Sequence, residues 1–417
     1  MTRRNLLRHS LAPAALTLVP SPGEAAPSSR VRTGLEVLAE DRFRPLNGLK
    51  VGLITNPTGA LPDLTSTIEA LHRAPGVKLA ALFGPEHGVR GDIPAGEYVP
   101  STVDSQTGVP VWSLYGATKT PTAEMLRGLD ILVFDIQDIG ARSYTYVSTL
   151  GSAMEGAAKH GIPLLVLDRP NPVGLQRVEG GPTRPGFESF VSKYPLAYRH
   201  GMTLGEVARM INGQGWLGGG RTCSLTVLPC RNLTRERNTW EDFGGLPWVP
   251  TSPHIPQPTT PHFYAATGIL GELPTVSIGI GYPLPFELAG APDIGAVSLT
   301  REMERRRLPG FAFRPHYWSP YYGAFKGQRC GGVQIYLTDP DTAPLTRLNF
   351  ELADAFRTLD RNRRIFPESA RMFDLACGTD AVRKAFLAGA DARQLWEIFE
   401  EGREKFVSDR KRYLLYS

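Results

Sequence analysis

Short apolar runs recur through the first half of this chain, and each stops abruptly at a polar or turn-forming residue. Runs of this length, bounded by glycine, proline and asparagine, are typical of buried strands, and the segments between them have the spacing of helices. Strands that alternate with helices favour an α/β fold with a mostly parallel, doubly wound sheet. The strands predicted here lie at 51–55, 78–83, 109–114, 129–134, 163–167 and 225–228.

With 417 residues the chain is too long for one small core and suits two domains. A proline-rich stretch at 252–264 separates the first set of predicted elements from a second set that begins near 276. We expect that stretch to be a loop that crosses between domains or lines a cleft. The predicted division is an export signal and linker over 1–30, a doubly wound domain over 31–262, and a smaller auxiliary α/β domain over 263–417.

The first residues have the composition of an export signal. Arg3 and Arg4 precede a short apolar run that leads to the small residues Ala25 and Ala26. A charged segment, an apolar segment and a small-residue site, in this order, predict export, and the paired arginines resemble a twin-arginine signal. We therefore expect a periplasmic or extracellular protein, and no later run reaches the length of a membrane span.

Charge and cysteine content narrow the function classes. The net charge of +5 is modest, and the densest basic cluster, Arg305–Arg307, lies in a stretch typical of an amphipathic helix. No aromatic residues interleave with it, which favours a solvated face over nucleic-acid binding. None of the four cysteines has CxxC spacing, so no metal cluster is predicted. Cys223 and Cys230 flank a strand-like run, and the sequence leaves open whether they pair.

Glu86 and His87 follow the predicted strand at 78–83 almost at once. A carboxyl beside an imidazole at the carboxyl end of a buried strand is where an α/β enzyme keeps catalytic groups. The alternative is a polar loop that merely leaves the core. Polar side chains at the other strand ends favour the catalytic interpretation, because all of them would point into one crevice. The candidates at these ends and in the loops that follow are Asn56, Glu86, His87, Arg90, Asp135, Gln137, Asp168 and Asn171.

The stretch 134–146 holds a second dense cluster of functional side chains. Asp135 and Asp138 have the chemistry of metal ligands, but no histidine or third acid lies nearby at suitable spacing. A hydrogen-bonding site for a polar, hydroxylated ligand is the favoured interpretation, with Tyr144 and Tyr146 as part of it. Arg142 is suited to a bidentate grip on a substrate carboxylate; the alternative is that it pairs with Asp138.

His200 lies just before Thr203, which with Glu206 has the spacing of a helix capping box. The imidazole therefore either faces the cleft or has a structural role. The chain contains no G-x-S-x-G elbow, no P-loop and no H-E-x-x-H motif, which argues against serine-hydrolase, nucleotide-binding and zinc-protease functions.

Multi-residue strings spread over the chain resemble the NamZ-like exo-β-N-acetylmuramidases, a family long catalogued as a domain of unknown function. The resemblance covers nearly everything from about residue 34 to 417. It rests on GLITNPTG, FGPEHGVRGD, AGE, SLYG, DILVFDIQDIGARSYTY, LDRPNPVG, VEGG, RHGMTLGEVA, SPHIP, APDI, CGGVQIYLTD and RYLLY.

The resemblance implies a Rossmann-like catalytic domain without nucleotide or other cofactor, an auxiliary α/β domain, and an active site in the cleft between them. It implies release of terminal N-acetylmuramic acid from the non-reducing end of peptidoglycan fragments, with Glu86 as the catalytic candidate. We expect Glu86 to be the general acid and Asp135 its partner acid; the alternative is that the substrate's own acetamido group assists and no partner acid is needed. Further expectations are that His87, Gln137 and Asp168 orient Glu86 or bind sugar hydroxyls, that Arg142 receives the lactyl carboxylate, and that Tyr144 and Tyr146 stack on the sugar ring.

One segment departs from the family pattern. Where the family reads close to EGTNVSVGRGT, this chain has ELPTVSIGIGY at 272–282, so that Thr275, Ile280 and Tyr282 replace an asparagine, an arginine and a threonine. The departure motivates the alternative of a non-catalytic protein that binds cell-wall fragments. A second alternative is a metal-assisted hydrolase that uses Asp135 and Asp138.

Overall fold

The computed structural model describes residues 30–94, 96–237, 239–360 and 365–417. The predicted export signal lies outside the described residues. No helix in the described part of the chain is long and apolar enough to cross a membrane.

The first half of the chain forms a seven-stranded sheet in the order β3-β4-β2-β1-β5-β6-β7. All neighbouring strands in it are parallel except β3 and β4. The strands are β1 (Lys50–Thr55), β2 (Lys78–Gly84), β3 (Thr102–Val103), β4 (Pro110–Ser113), β5 (Ile131–Asp135), β6 (Leu164–Leu167) and β7 (Leu225–Leu228). The predicted doubly wound α/β sheet is therefore confirmed.

Helices cover both faces of this sheet: α1 (Gly34–Glu40) and α2 (Thr67–Arg73) on one side, α3 (Tyr146–His160) and α4 (Leu204–Gly213) on the other. Successive side chains of a strand point to opposite faces. Val51 and Leu53 of β1 accordingly contact a core with α1 and α2, whereas Ile54, with Leu132 and Phe134 of β5, contacts a core with α3 and α4. Burial on both faces explains why these strands are continuous apolar runs.

The order of the strands reverses between β1 and β5, because the chain builds β2 and β4 on one side of β1 and β5 to β7 on the other. In open parallel sheets ligands bind outside the carboxyl ends of the strands at such a switch point. The residues that follow β1, β2 and β5 therefore lie where a binding site is expected.

The second half of the chain contains a smaller, antiparallel sheet in the order β8-β10-β9, with β8 (Leu288–Ala291), β9 (Phe311–Trp318) and β10 (Cys330–Leu337). The helices of this half are α5 (Thr260–Thr267), α6 (Ala296–Arg305), α7 (Arg347–Leu359), α8 (Arg371–Cys377), α9 (Ala381–Leu387), α10 (Ala392–Phe399) and α11 (Arg403–Arg410).

The sequence also predicts a short helix over 122–127, a regular element over 276–287 and one helix over 392–408, and these local predictions were wrong. The segment 122–127 forms turns rather than a short helix, and β9 was not predicted. The segment 276–287 is a series of turns, because Gly279 and Gly281 adopt φ values of 85° and 81° that favour glycine. The single helix predicted over 392–408 is two helices, and Gly402 with φ of 87° separates them.

The C-terminal segment returns to the larger sheet. Arg209 of α4 donates to the carbonyl of Tyr413 at 2.9 Å, and the Tyr416 hydroxyl donates to Asp168 Oδ2 at 2.5 Å. Residues 403–417 thus pack against the domain opposite to the one predicted for them, and α5 spans the predicted boundary at 262/263. The division into 31–262 and 263–417 stays a prediction.

Candidate active site

Glu86 lies just beyond the carboxyl end of β2 and is partly exposed. The Thr145 hydroxyl donates to Glu86 Oε2 at 2.7 Å, and the Gly96 amide donates to Oε1 at 3.0 Å. Both donors stabilise the charged carboxylate. Burial and the adjacent Glu86 raise the pKa of Tyr115 above its usual range, which keeps that phenol protonated beside the carboxylate.

His87 has a backbone conformation that is unusual for a side-chain-bearing residue. Its φ of 71° lies in the left-handed region, and the following Gly88 has φ of 77°. The imidazole is buried, and its Nδ1 lies 2.8 Å from the carbonyl oxygen of Ile93, which holds the ring in place. Strained backbone of this kind is often found at functional sites, where the surrounding structure enforces it.

A cavity of about 270 Å³ opens beside Glu86 between the two halves of the chain. The larger sheet contributes Glu86, His87 and the polar stretch Ser143–Thr145, whereas the second half contributes Glu272 and an apolar wall. The loop 252–255 lines the space between them, as predicted for the proline-rich stretch, but the end of that stretch, 260–264, belongs to α5 and is not a loop. The remaining lining residues are Val191, Tyr264, Gly268, Gly271, Ile278, Ile280 and Phe286.

A second cavity of about 230 Å³ adjoins the first and shares His87 and Ser252 with it. A chain of hydrogen bonds fixes the wall on this side: Asn56 donates to the Tyr146 hydroxyl at 2.8 Å, and Tyr146 donates to the carbonyl of Thr251 at 2.6 Å. The Tyr144 hydroxyl lies 2.8 Å from Thr251 Oγ1. The end of β1, the start of α3 and the proline-rich loop are therefore joined at the site.

Hydroxyl groups also connect the two halves of the chain at the first cavity. Ser143 donates to the Tyr198 hydroxyl at 2.9 Å and lies 3.0 Å from the hydroxyl of Tyr264 on α5. Burial raises the pKa of both tyrosines. These neutral hydroxyls give the cavity polar contacts without a fixed charge.

Glu272 is the other carboxyl group of the first cavity. It ends a short 3₁₀ helix, Leu270–Glu272. Burial raises its pKa to about 7. His254, across the cavity, has a pKa lowered by burial and by the nearby His87, and its Nε2 lies 2.8 Å from the Tyr322 hydroxyl. Sequence reasoning missed Glu272 and His254 as site residues, although both stand inside strings noted for other reasons.

Asp135, predicted as the partner acid, is not in either cavity. It is fully buried, and both its oxygens are occupied: Arg169 Nε donates to Oδ1 at 2.5 Å, while Arg169 Nη2 and the Thr67 hydroxyl donate to Oδ2. The structure therefore does not place Asp135 where it can act on a ligand. Its ion pair with Arg169 joins the end of β5 to the loop after β6 instead.

Arg142, predicted to receive a substrate carboxylate, is also buried and fully engaged. Its guanidinium donates to Ser192 Oγ and to the carbonyls of Gly181, Leu196, Ala376 and Cys377. Burial lowers its pKa to about 10. The side chain cross-links the two halves of the chain and does not line either cavity; the alternative pairing with Asp138 is not formed either.

The remaining candidates are structural. Arg90 pairs with Asp104 at 2.6 Å and lines neither cavity. Asp168 accepts from Thr203 Oγ1 and the Gly205 amide, and burial raises its pKa to about 6. Three others are buried in the loops after β5, after β6 and before α4: Gln137, Asn171 and His200, whose pKa burial lowers to about 3.

Of the predicted residues, Glu86, His87, Tyr144 and Asn56 line the cavities, and Tyr146 supports them. In the described residues no three histidine, cysteine or acidic side chains are grouped to hold a metal ion. Cys223 and Cys230 are buried and unpaired.

Comparison with known proteins matches both halves of the chain to one family. The model for "Exo-beta-N-acetylmuramidase NamZ, N-terminal" matches residues 51–259, and its C-terminal counterpart matches 262–416. The chain is 40% identical over 401 residues to the peptidoglycan beta-N-acetylmuramidase NamZ of Bacillus subtilis (strain 168), a match that covers 95% of this chain and 94% of that protein.

Solved structures give the same result. A DUF1343 family protein from Bacteroides fragilis NCTC 9343 is similar with a TM-score of 0.88 and 42% identity, covering 93% of this chain and 99% of that one. A second DUF1343 family protein from the same organism has a TM-score of 0.76 and 31% identity over the same shares of the two chains.

Proposed function

Because this chain belongs to the exo-β-N-acetylmuramidase NamZ family, we propose that it is a glycoside hydrolase that releases N-acetylmuramic acid from the non-reducing end of peptidoglycan fragments. The near-complete match to a relative named for β-N-acetylmuramidase activity supports the reaction class.

The observation that carries the proposal is the placement of Glu86. Its carboxylate borders a cavity of about 270 Å³ whose walls come from both halves of the chain. Sites for small molecules typically have volumes of roughly 300–1,000 Å³, and this cavity is close to the lower end of that range. It therefore suits a single terminal sugar better than a long glycan strand. A carboxylate in such a cavity is the group that glycoside hydrolysis requires.

The other lining groups divide into contacts and supports. We expect Tyr144 and Tyr264, which line the first cavity, to contact the sugar, and His87 borders both cavities. Arg142 is engaged elsewhere, so we expect the lactyl carboxylate of the sugar to be bound by neutral donors of the cavity wall, with the Ser252 hydroxyl and the His254 imidazole as candidates.

Hydrolysis of the 4-nitrophenyl β-glycoside of N-acetylmuramic acid tests the proposal. We expect the wild type to release nitrophenol and Glu86→Gln to lose at least about 10³-fold in kcat/KM, because the reaction loses a catalytic carboxylate. Glu97→Gln is the matched control, since Glu97 is an exposed acid of the same loop that does not line either cavity. Equal activity of the wild type and Glu86→Gln would contradict the role of Glu86.

The alternative of a wall-fragment binding protein has one observation in its favour. Ile280, which stands where the family pattern has an arginine, does line the cavity. Binding of N-acetylmuramic acid without turnover of the aryl glycoside would support this alternative and contradict hydrolysis.

We further propose that the protein acts outside the cytoplasm, after export by the twin-arginine-like N-terminus. The four cysteines are buried and unpaired, a state that fits folding in a reducing compartment before export. Fractionation of cells that express the full chain tests this. We expect the protein outside the cytoplasm for the wild type and inside it for the double replacement of Arg3 and Arg4 by lysine.

A further inference from the structure

Two carboxyl groups border the first cavity, and they come from opposite sides of it. Glu86 follows β2 of the larger sheet, and Glu272 ends the 3₁₀ helix Leu270–Glu272 of the second half. Glycoside hydrolysis commonly uses two carboxyl groups on either side of the scissile bond. Asp135, the partner that the sequence suggested, is buried in an ion pair, which leaves Glu272 as the second carboxyl of the cavity.

The two environments favour different protonation states. Glu86 accepts hydrogen bonds from the Gly96 amide and the Thr145 hydroxyl, both of which stabilise a carboxylate. Among the described residues, neither a hydrogen bond nor an ion pair reaches the carboxyl of Glu272. The same half of the chain contributes the apolar side chains of Ile278 and Phe286 to the cavity wall. A carboxyl without donors in apolar surroundings favours its neutral form.

We propose that Glu272 is the catalytic acid of this cavity and that Glu86 is the carboxylate that accepts a proton from the attacking water. The inference rests on the proposed function. It makes Glu86 the base, whereas the sequence analysis suggested that Glu86 is the acid. Two carboxyl groups whose environments favour opposite protonation states are the arrangement by which one site supplies both an acid and a base.

The step balances as a single displacement. The bond between the anomeric carbon and the leaving oxygen breaks, and its electron pair goes to that oxygen, which takes the proton of Glu272. Water forms the new bond to the anomeric carbon and gives its proton to Glu86. The products are free N-acetylmuramic acid and the shortened fragment, and proton exchange with solvent restores both carboxyl groups.

The charge environment of Glu272 supports its retention of a proton near neutral pH. Burial raises its pKa to about 7. The titratable groups that face it contain no lysine or arginine in the described part of the chain: they are Glu86, His87, Tyr144 and His254 around the cavity, and Tyr198, Tyr264 and Cys377 toward the core. Because the acid must be protonated to act, we expect activity to fall as pH rises above about 7.

Two substrates with different leaving groups test the assignment. Nitrophenolate leaves without protonation, whereas a sugar hydroxyl needs the acid. We expect Glu272→Gln to lower kcat/KM by about 10²–10⁴-fold on N-acetylmuramic acid β-linked to N-acetylglucosamine but by less than about 10-fold on the nitrophenyl glycoside. Glu86→Gln should lower both by similar factors. On the disaccharide, Glu272→Gln should also lack the fall in activity at alkaline pH.

Controls keep the result interpretable. Glu287→Gln is a matched variant, because burial also raises the pKa of Glu287 in the same half of the chain while its side chain does not line the cavity; we expect wild-type kinetics. Glu272→Asp keeps a carboxyl group but shortens the side chain, so it should be slower on the disaccharide and retain the alkaline fall. This variant provides the test if Glu272→Gln does not fold.

The outcomes separate the two proposals. A wild type that hydrolyses neither substrate overturns the proposed function. If the wild type hydrolyses both substrates, three results for Glu272→Gln overturn only the role of Glu272. The variant is equally impaired on the two substrates, it is not impaired at all, or it still shows the alkaline fall.

Discussion

The ends of β2 and β5 lie on either side of β1, and each has a carboxylate. Glu86 follows β2, whereas Asp135 is the last residue of β5, and the two side chains have different surroundings. Glu86 borders an open cavity and accepts hydrogen bonds from neutral donors. Asp135 is fully buried, and Arg169 neutralises it. Strand ends at the switch point therefore carry two kinds of carboxylate, one that borders the site and one that supports the fold. A buried cation beside the carboxylate marks the supporting one.

Asp135→Asn should break the scaffold side of this comparison most strongly. The change leaves the Arg169 guanidinium buried without its anion, and removing one partner of a buried ion pair costs about 3–5 kcal/mol. Chemical denaturation should show this loss in the free energy of unfolding, while the protein that remains folded keeps a kcat within several-fold of wild type. A stable Asp135→Asn without activity would place Asp135 in the catalytic step.

Arg142→Lys should have the next largest effect. A lysine cannot reproduce the planar fork, so several of the five partners of Arg142 lose their hydrogen bond in the interior. We expect the free energy of unfolding to fall by roughly 2–4 kcal/mol, with little change in KM for a muramyl substrate. Arg44→Lys on the surface is the control, and a large rise in KM for Arg142→Lys would instead support carboxylate binding.

His200, a buried residue of the scaffold, makes the stability of the protein depend on pH. Its pKa is lowered to about 3 in the folded protein, so below about 6.5 the unfolded chain takes up a proton that the folded chain does not. Stability is therefore lost as pH falls, by about 2 kcal/mol at pH 5. Denaturation at pH 7 and pH 5 should show a smaller loss for His200→Asn than for wild type, and His72→Asn on the surface should behave like wild type.

Thr145→Val should have the smallest effect, and it acts on the site rather than on the scaffold. The change removes the hydroxyl that donates to Glu86 Oε2 at 2.7 Å. Loss of one such hydrogen bond is worth about 1–1.5 kcal/mol, so kcat/KM should fall about 10-fold with stability nearly unchanged. Thr118→Val, outside both cavities, controls for the substitution, and unchanged kinetics for Thr145→Val would show that the hydroxyl does not position Glu86.

The sequence predicted the doubly wound sheet because burial on both faces leaves a strong signal of apolar runs. It also predicted Glu86, since the acid stands directly after a strand. It failed for Arg142 and Asp135, because the sequence does not show whether a charged side chain near a strand end faces a ligand or a buried partner. Glu272 was out of reach, since its place in the cavity depends on how the second half packs against the first.

Parallel measurement of kcat/KM and of the free energy of unfolding for Glu86→Gln and Asp135→Asn tests the central claim most directly. We predict that Glu86→Gln loses at least about 10³-fold in kcat/KM with stability within about 1 kcal/mol of wild type, whereas Asp135→Asn loses stability and keeps its activity when folded. The reverse pattern, with an active Glu86→Gln and a stable but inactive Asp135→Asn, would contradict the account.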